Sequence, residues 1–467
     1  MHDLVVMPQN GPLTGSVPAP PDEDLGHLAL LVAALADGKS ELRRLSSGPH
    51  VGAMIDALRK LGVAVEEGTE RGVSVVGGRG LRGLVDPGQP VICGRSAPTL
   101  RRLAAVLVAH PFRTVLSSEP LRALAGMEGI AAALRRRAGQ IEGMFSPERA
   151  GALGPPFTVG PLPADRMLCG VEYELAEPRP DVKEALLLSG LYADEATYVR
   201  EHILSRDHLE RMLGALDVPV SAAGPIVALD PLAHGPCEPA SSSWEPKIQP
   251  FSFEVPGDVA AASLVACSAT LVAGSRVCVR GVGLNPTRTG AFDLLRQMGG
   301  DVELVAQAIR LGETEGTVCA SYAPLRAVTM AGEPLLRATD DLPVLVALAA
   351  RARGSTEIAF DASHEAEPAE EGGPMSMDRI VAVLRAFGVR AEPRPSGLTI
   401  VGRPEGALEA ADIDTEGSVP VAALAVTLGL LGPCPTRVRR ADALALRYPR
   451  IVGTLRALGA DIRVEGR

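Results

Sequence analysis

The sequence predicts an α/β protein of two lobes, each built from three strand–helix–strand–helix–strand units. A recurring helix-end motif, a set of helices that are apolar on nearly every side, and one aperiodic stretch near the middle predict it. The motif is Leu-Arg-x-apolar-Gly. It reads LRKLG at 58–62, LRQMG at 295–299, LRAFG at 384–388 and LRALG at 455–459, with weaker copies LRRRAG at 134–139 and LGALD at 213–217. Repetition at this interval marks one supersecondary unit used many times. The chain has 467 residues, too many for one ordinary core, so division into lobes is expected.

Within each unit the first helix is rich in Ala, Leu and Val. In order these helices are LGHLALLVAALADG, APTLRRLAAVLVAH, VKEALLLSGLYADE, VAAASLVACSATLVAG, LPVLVALAARARG and VPVAALAVTLGLLG. An apolar surface all round predicts burial. The second helix carries Arg, Lys or Asp along one side and ends in the motif, so it is expected outside and half-exposed. The Gly closing the motif fits a left-handed C-cap. Alternating stretches such as VAVEE and DVELV follow and predict strands. The units fall into two groups of three, split by GPIVALDPLAHGPCEPASSSWEPKIQP at 224–250. Its Pro, Ser and Gly content predicts a loop and a crossing between lobes.

Composition excludes several classes. Net charge is −10 and no basic stripe interleaves with aromatics, so a nucleic-acid partner is not expected. No basic N-terminal segment precedes an apolar run, and no apolar run approaches about 18 residues, so neither a signal peptide nor a membrane span is expected. A cytoplasmic protein, monomeric or weakly oligomeric, follows. The Cys residues at 93, 169, 237, 267, 278, 319 and 434 are odd in number and form no C-x-x-C, which predicts free thiols in a reducing compartment. Aromatics make up only 3%, so the cores must be aliphatic.

Several stretches resemble the enolpyruvyl transferase family, on its 5-enolpyruvylshikimate-3-phosphate synthase branch. They are SRDHLERML (205–213), VPGD (255–258), GVGLNPTRTG (281–290), DDLPVLVALAARARGST (340–356) and VKEALLLSGLYA (182–193). They occur in order along nearly the whole chain. The resemblance implies a two-lobed inverse α/β barrel with three repeats per lobe. The first lobe would span 21–248 and the second 1–20 plus 249–467. Inner helices would aim their N-termini at an interlobe cleft, where a positive field favours anions. In the family that cleft takes phosphoenolpyruvate and shikimate 3-phosphate.

Where the family has P-G-D-K-S-I-S-H-R-A, this chain reads PPDEDLGHLA. The phosphoenolpyruvate-binding Lys is replaced by Glu23, a substrate-contacting Ser by Asp24 and an Arg by Leu28, while Asp22 and His27 are kept. GRSAPTLR (94–101) replaces G-N-S-G-T-x-x-R, with Arg95, Ala97 and Pro98 new and Arg101 kept. RPDVK (179–183) replaces S-A-Q-V-K, with Arg179 and Asp181 new and Lys183 kept. Cationic positions fall at Leu124, Met375, Pro420 and Leu446, the last two in alignments free to slip by a residue or two. Ser205, Asp340, Asp341 and Arg379 remain.

By this alignment the phosphoenolpyruvate side is more negative by about five charges. Phosphate and carboxylate need charge-assisted donors, each worth roughly 1.5–3 kcal/mol. The sequence therefore predicts a divergent enzyme that has lost the phosphoenolpyruvate site. It is expected to act as a dehydratase on a shikimate-type hydroxylated carbocycle, free or carried on a protein or coenzyme. Glu23, Asp24, His27 and Asp340 would supply acid and base. Arg95, Arg101, Arg179, Asp181, Lys183, Ser205 and Arg379 would bind substrate, with Arg101 or Arg379 on its carboxylate. No metal or cofactor is expected. Two alternatives stand beside it: carboxyvinyl transfer from phosphoenolpyruvate in an altered site, and a catalytically silent binding or scaffold protein. Asp22 is expected to cap its helix.

Other signals are read as structural. GGRGLRG (77–83) contains G-x-G-x-x-G, but no helix pattern follows, so a hairpin turn is expected rather than a dinucleotide site. HEAEPAEEGG (364–373) lacks metal-ligand spacing and is expected as a solvated acidic loop.

Overall fold

A computed structural model describes residues 2–118, 127–145, 153–232, 247–360, 377–409, 411–448 and 450–466. Among the described residues lie six four-stranded sheets of one design. In each, an outer strand runs parallel to its neighbour, and the next two strands are antiparallel. Thus Ser252–Glu254 lies parallel to Lys39–Arg43, which pairs antiparallel with Val73–Gly77, and that strand with Ala64–Glu67. Two sheets borrow from the chain start. Thr14–Pro18 lies parallel to Arg276–Gly283, and His2–Val6 sits between Thr436–Arg439 and Ile462–Gly466.

This borrowing separates two hydrophobic cores. One is built from residues between Leu25 and Val255. The other joins Leu4, Val6, Leu13, Val17 and Ala19 to residues from Val259 to Ile462. The chain crosses between them twice, and the crossings are tied together. Asp22 N–H donates to Pro256 O and Asp258 N–H to Pro20 O, at 2.9 and 2.8 Å. A Cβ on Gly257 would collide with Ala19 and with the carbonyl of Gly281, so only glycine fits there.

Around each core stand three inner helices: Glu23–Leu35, Ala97–Leu107 and Pro180–Gly190, then Val259–Leu271, Leu342–Arg351 and Val419–Gly429. Val259–Leu271 is buried at every residue. Alanines let these helices approach closely, and leucines and valines fill the gaps. Each fully buried Leu or Val contributes about 1.5–3 kcal/mol.

The helix-end motif has a physical explanation. Its Leu is buried in all six copies, at Leu58, Leu134, Leu213, Leu295, Leu384 and Leu455. Its Arg donates to the carbonyl six residues on: Arg59 to Val65, Arg135 to Ile141, Arg296 to Val302, Arg385 to Ala391 and Arg456 to Ile462. Each Arg thereby clamps the outer helix to the strand that follows it. The fifth motif position is left-handed throughout. Gly62, Gly299, Gly388 and Gly459 occupy it, and so do Ala138 and Asp217, with φ of 65° and 59°. In LRRRAG the cap is therefore Ala138, not the glycine after it.

Three expectations are corrected. Cys278 and Cys319 face each other across antiparallel strands with Cα atoms 4.1 Å apart and form a disulfide. Sheet register, not local spacing, pairs them. GGRGLRG is no hairpin: it leads from Val73–Gly77 toward Val91–Ile92 in the next sheet. The stretch 224–250 is not all loop, because Ile226–Leu229 pairs with Thr197–Glu201. Trp244 and residues 364–373 lie outside the described residues. Among the described residues, no helix is long and apolar enough to cross a membrane.

Candidate active site

The inner helices begin at one face of each core, and polar residues collect there. Asp22 caps Glu23–Leu35, accepting from Leu25 N–H at 3.0 Å, as the sequence predicts. Its other oxygen accepts from Arg288 Nη1 at 2.8 Å. Arg288 belongs to the second lobe, so this buried pair crosses the cleft. Burial raises the Asp22 pKa, and Arg288 opposes that rise. Arg288 also binds Asp340 at 3.0 Å, and Arg206, from the first lobe, binds Asp340 at 2.9 Å. Burial alone would push Asp340 up, but Arg206 and Arg288 hold it well below the usual carboxylate range. Asp258 caps Val259–Leu271 and pairs with Arg447. Ser205, Arg206, Arg288, Arg337 and Asp340 line a cavity of about 40 Å3. That holds a few waters, not a substituted ring. Ion pairs surround it: Asp22 with Arg288, and Asp340 with Arg206 and Arg288.

The substituted residues of the first inner helix take other partners. The Glu23 carboxylate accepts from His50 N–H at 2.8 Å, at the start of Pro49–Lys60. Gly48, at the cap position of that helix, has no side chain to offer, so Glu23 supplies the missing acceptor. Burial raises the Glu23 pKa. Asp24 pairs with Arg102 at 2.8 Å. Burial opposes its charge, but Arg102 and then Arg206 draw its pKa far down. Arg102 also forks onto Glu184 at 2.8 and 2.9 Å and donates to His27 Nδ1 at 2.6 Å. Arginine only donates, so His27 carries its proton on Nε2, which faces Thr99 Oγ1 at 2.8 Å. Burial, then Arg102, hold the His27 pKa well below 6.5. Thus Asp24, His27, Arg102 and Glu184 tie the three inner helices of the first lobe together. Of the four expected acid–base residues, Asp340 lines the cavity, while Glu23 is bonded to His50 N–H and His27 to Thr99 and Arg102.

The expected substrate-binding residues also divide. Arg179 and Asp181 pair with each other through two 2.9 Å bonds. Lys183 is buried between Glu201 and Glu210, 2.8 Å from each. Burial disfavours its charge, but the two carboxylates raise its pKa. Ser205 donates to Glu201 at 2.5 Å and lines the cavity. Arg101 is buried on the second inner helix, while Arg95 is exposed just before it. Arg379 pairs with Glu416 at 2.6 Å, near the start of Val419–Gly429. Leu124 and Met375 lie outside the described residues.

Arg102, Arg206, Arg288 and Arg447 are the residues that reading by aligned positions missed. Arg447 adjoins Leu446, so one charge counted as lost there reappears one residue on, while Arg102 stands beside the kept Arg101 as an additional cation. An Arg inside an otherwise apolar helix was the available signal for Arg102.

This architecture, six like sheets around two sets of three buried helices, is the enolpyruvyl transferase fold. The NikO enolpyruvyl transferase of Streptomyces tendae shares it, with a TM-score of 0.73 at 18% identity over 99% of both chains. The chain belongs to the EPSP synthase (3-phosphoshikimate 1-carboxyvinyltransferase) family, whose model matches residues 7–455. An EPSP synthase from Acinetobacter baumannii superposes with a TM-score of 0.84 at 25% identity, covering 99% of this chain and 100% of that one. Relatives named 3-phosphoshikimate 1-carboxyvinyltransferase in Herpetosiphon aurantiacus and Chloroflexus aggregans are each 32% identical. They cover 94% and 96% of this chain, and 95% and 98% of their own lengths are matched.

Proposed function

We propose that the chain is a carboxyvinyl transferase that binds a small anionic, shikimate-type substrate between lobes 21–248 and 1–20 plus 249–467. The observation that carries this reading is the meeting of Arg206, Arg288 and Arg447 with Asp22, Asp258 and Asp340 at the cleft. Guanidiniums suit phosphate and carboxylate, and an arriving ligand would exchange for the internal carboxylates. Arg447, beside the expected Lys position, supports a restored cation there. Asp340 lines the cavity beside Asp341 and is a weak base while Arg206 and Arg288 hold it; once an incoming anion draws those guanidiniums away, it would accept the proton of the attacking substrate hydroxyl.

Water elimination has less support. Glu23 holds a neighbouring helix, Asp24 is spent on Arg102, and His27 is neutral with both ring nitrogens engaged. The pairing of each cleft cation with a resident carboxylate favours a second reading, binding without turnover.

The test is phosphate release from phosphoenolpyruvate plus shikimate 3-phosphate, beside calorimetric titration of each. Transfer predicts release that falls at least about 100-fold in Asp340→Asn, the scale of a lost general base. Heat from shikimate 3-phosphate without release would establish the second reading. Neither heat nor release would overturn both.

A further inference from the structure

The outermost strands of the sheets are short, with one exception. Ala64–Glu67, Ile141–Phe145, Val220–Ala223, Arg390–Arg394 and Ile462–Gly466 run 4 or 5 residues. Asp301–Arg310 runs 10, and its hairpin partner Glu313–Ser321 runs 9. The extra length carries the hairpin tip out of the second lobe and onto the first. Leu311 packs against the first core. Gly312 lies against the backbone of Arg211, so close that a Cβ would collide with its carbonyl. Glu313, 1% exposed, pairs with His208 Nδ1 at 2.8 Å. Asn285 closes the cluster, donating to Asp207 at 2.7 Å and reaching Glu313 at 3.3 Å.

We propose that this hairpin is a proton-controlled latch: its tip fastens the second lobe to the first through His208 and Glu313, and its grip weakens when His208 loses its charge and only a neutral Nδ1–H is left to donate to Glu313. The pair is buried and joins the two lobes directly, so its charge state bears on closure. The charged groups facing His208 are Glu313 from the hairpin, Arg288 from the turn Pro286–Arg288, Asp22 and Asp24 from the first inner helix, and Asp207 from its own loop. Arg288 opposes the imidazolium and the four carboxylates favour it. Burial opposes it most, yet the charge and hydrogen bond of Glu313, together with Asp22, leave the His208 pKa raised. A raised histidine stabilises the closed form fully below its unfolded pKa. That contribution is lost as pH climbs through the raised value. The latch therefore holds in mildly acidic to neutral solution and loosens in alkali.

Amide hydrogen exchange on the full chain tests it, read on peptides from 301–321 and corrected for the intrinsic pH dependence. In the unsubstituted protein, tip protection should fall at least about tenfold between about pH 6 and about pH 9, the scale of one charge-assisted bond. Protection in Val259–Leu271 should hold. Glu313→Gln and His208→Gln should lack the tip protection already at the lower pH and show no further change. Small-angle scattering should report expansion in the same steps. Unchanged tip protection across the pH range, or full protection in Glu313→Gln, would overturn the latch. The comparison in the unsubstituted protein stands even if a variant fails to fold.

Discussion

At the centre of the first lobe, inner helices meet through the ion-paired guanidinium of Arg102. At the equivalent place in the second lobe they meet through a hydroxyl, a carboxyl and a thiol. Ser263 bonds to Asp341, and Cys267 reaches the carbonyl of Val344 at 3.7 Å. Burial raises the Asp341 pKa to about 7, against the bond from Ser263. The first centre is thus held by charges that cancel locally, and the second by groups kept near neutrality. The difference teaches that an acidic inner helix need not mean an acidic cleft. Asp24 and Glu184 are both paired with Arg102 inside the first lobe, so much of their charge is offset there.

The largest test of that contrast is Arg102→Ala. It strands two carboxylates and the Nδ1 of His27, and should cost about 3–5 kcal/mol in urea unfolding. A loss near that of a surface pair would show that the first centre is held by packing alone, as the second is.

The next test uses pH, because the two centres respond with opposite sign. Asp24 has a depressed folded pKa. Its contribution is present above its unfolded pKa and is lost as pH falls through the folded value. Asp341 binds its proton more tightly when folded, so the second lobe should lose stability as pH rises from about 4 to about 7. Asp341→Asn should abolish that decline and leave the second lobe more stable at neutral pH. Amide exchange, read lobe by lobe across this range, checks it, and parallel responses in both lobes would contradict the assignment.

Ser263→Ala should cost the second centre about 1 kcal/mol, the net worth of one hydrogen bond, measured by the same unfolding assay. The smallest effect concerns the helix corners. All three second-lobe corners use glycine, whereas the first lobe places Ala138 and Asp217 in left-handed geometry. Asp217→Gly should raise stability by up to about 1 kcal/mol, seen as a higher melting temperature. A fall would mean that the Asp217 side chain contributes contacts of its own.

Much of the fold was legible because it rests on local rules. The Leu-Arg corner needs a buried leucine, an arginine within reach of a strand carbonyl, and a residue tolerant of positive φ. All three fall within a few residues, so the motif shows in the sequence. The Cys278–Cys319 pairing depends on register across 41 residues and leaves no local trace. The site was legible only by halves. Asp22 as a cap and Asp340 at the cleft follow from helix starts and family motifs. Arg102 with Asp24 and Glu184, or Glu23 with His50, are meetings of separate helices, and no spacing along the chain announces them. A count of charges by alignment was blind to Arg447 for the same reason, since a neighbouring residue can occupy the same space.

The third helix corner differs from the other five. Gly214 stands where they have the arginine, and Asp217 where four of them have glycine. It has therefore lost the clamp and gained backbone strain. Its helix, His208–Ala215, follows directly on Ser205, Arg206 and Asp207. The segment that carries these residues thus leads into a corner without the arginine clamp and with a residue of positive φ. Local opening there is expected before opening at the other five corners, and it would loosen the segment carrying Ser205, Arg206 and Asp207 first.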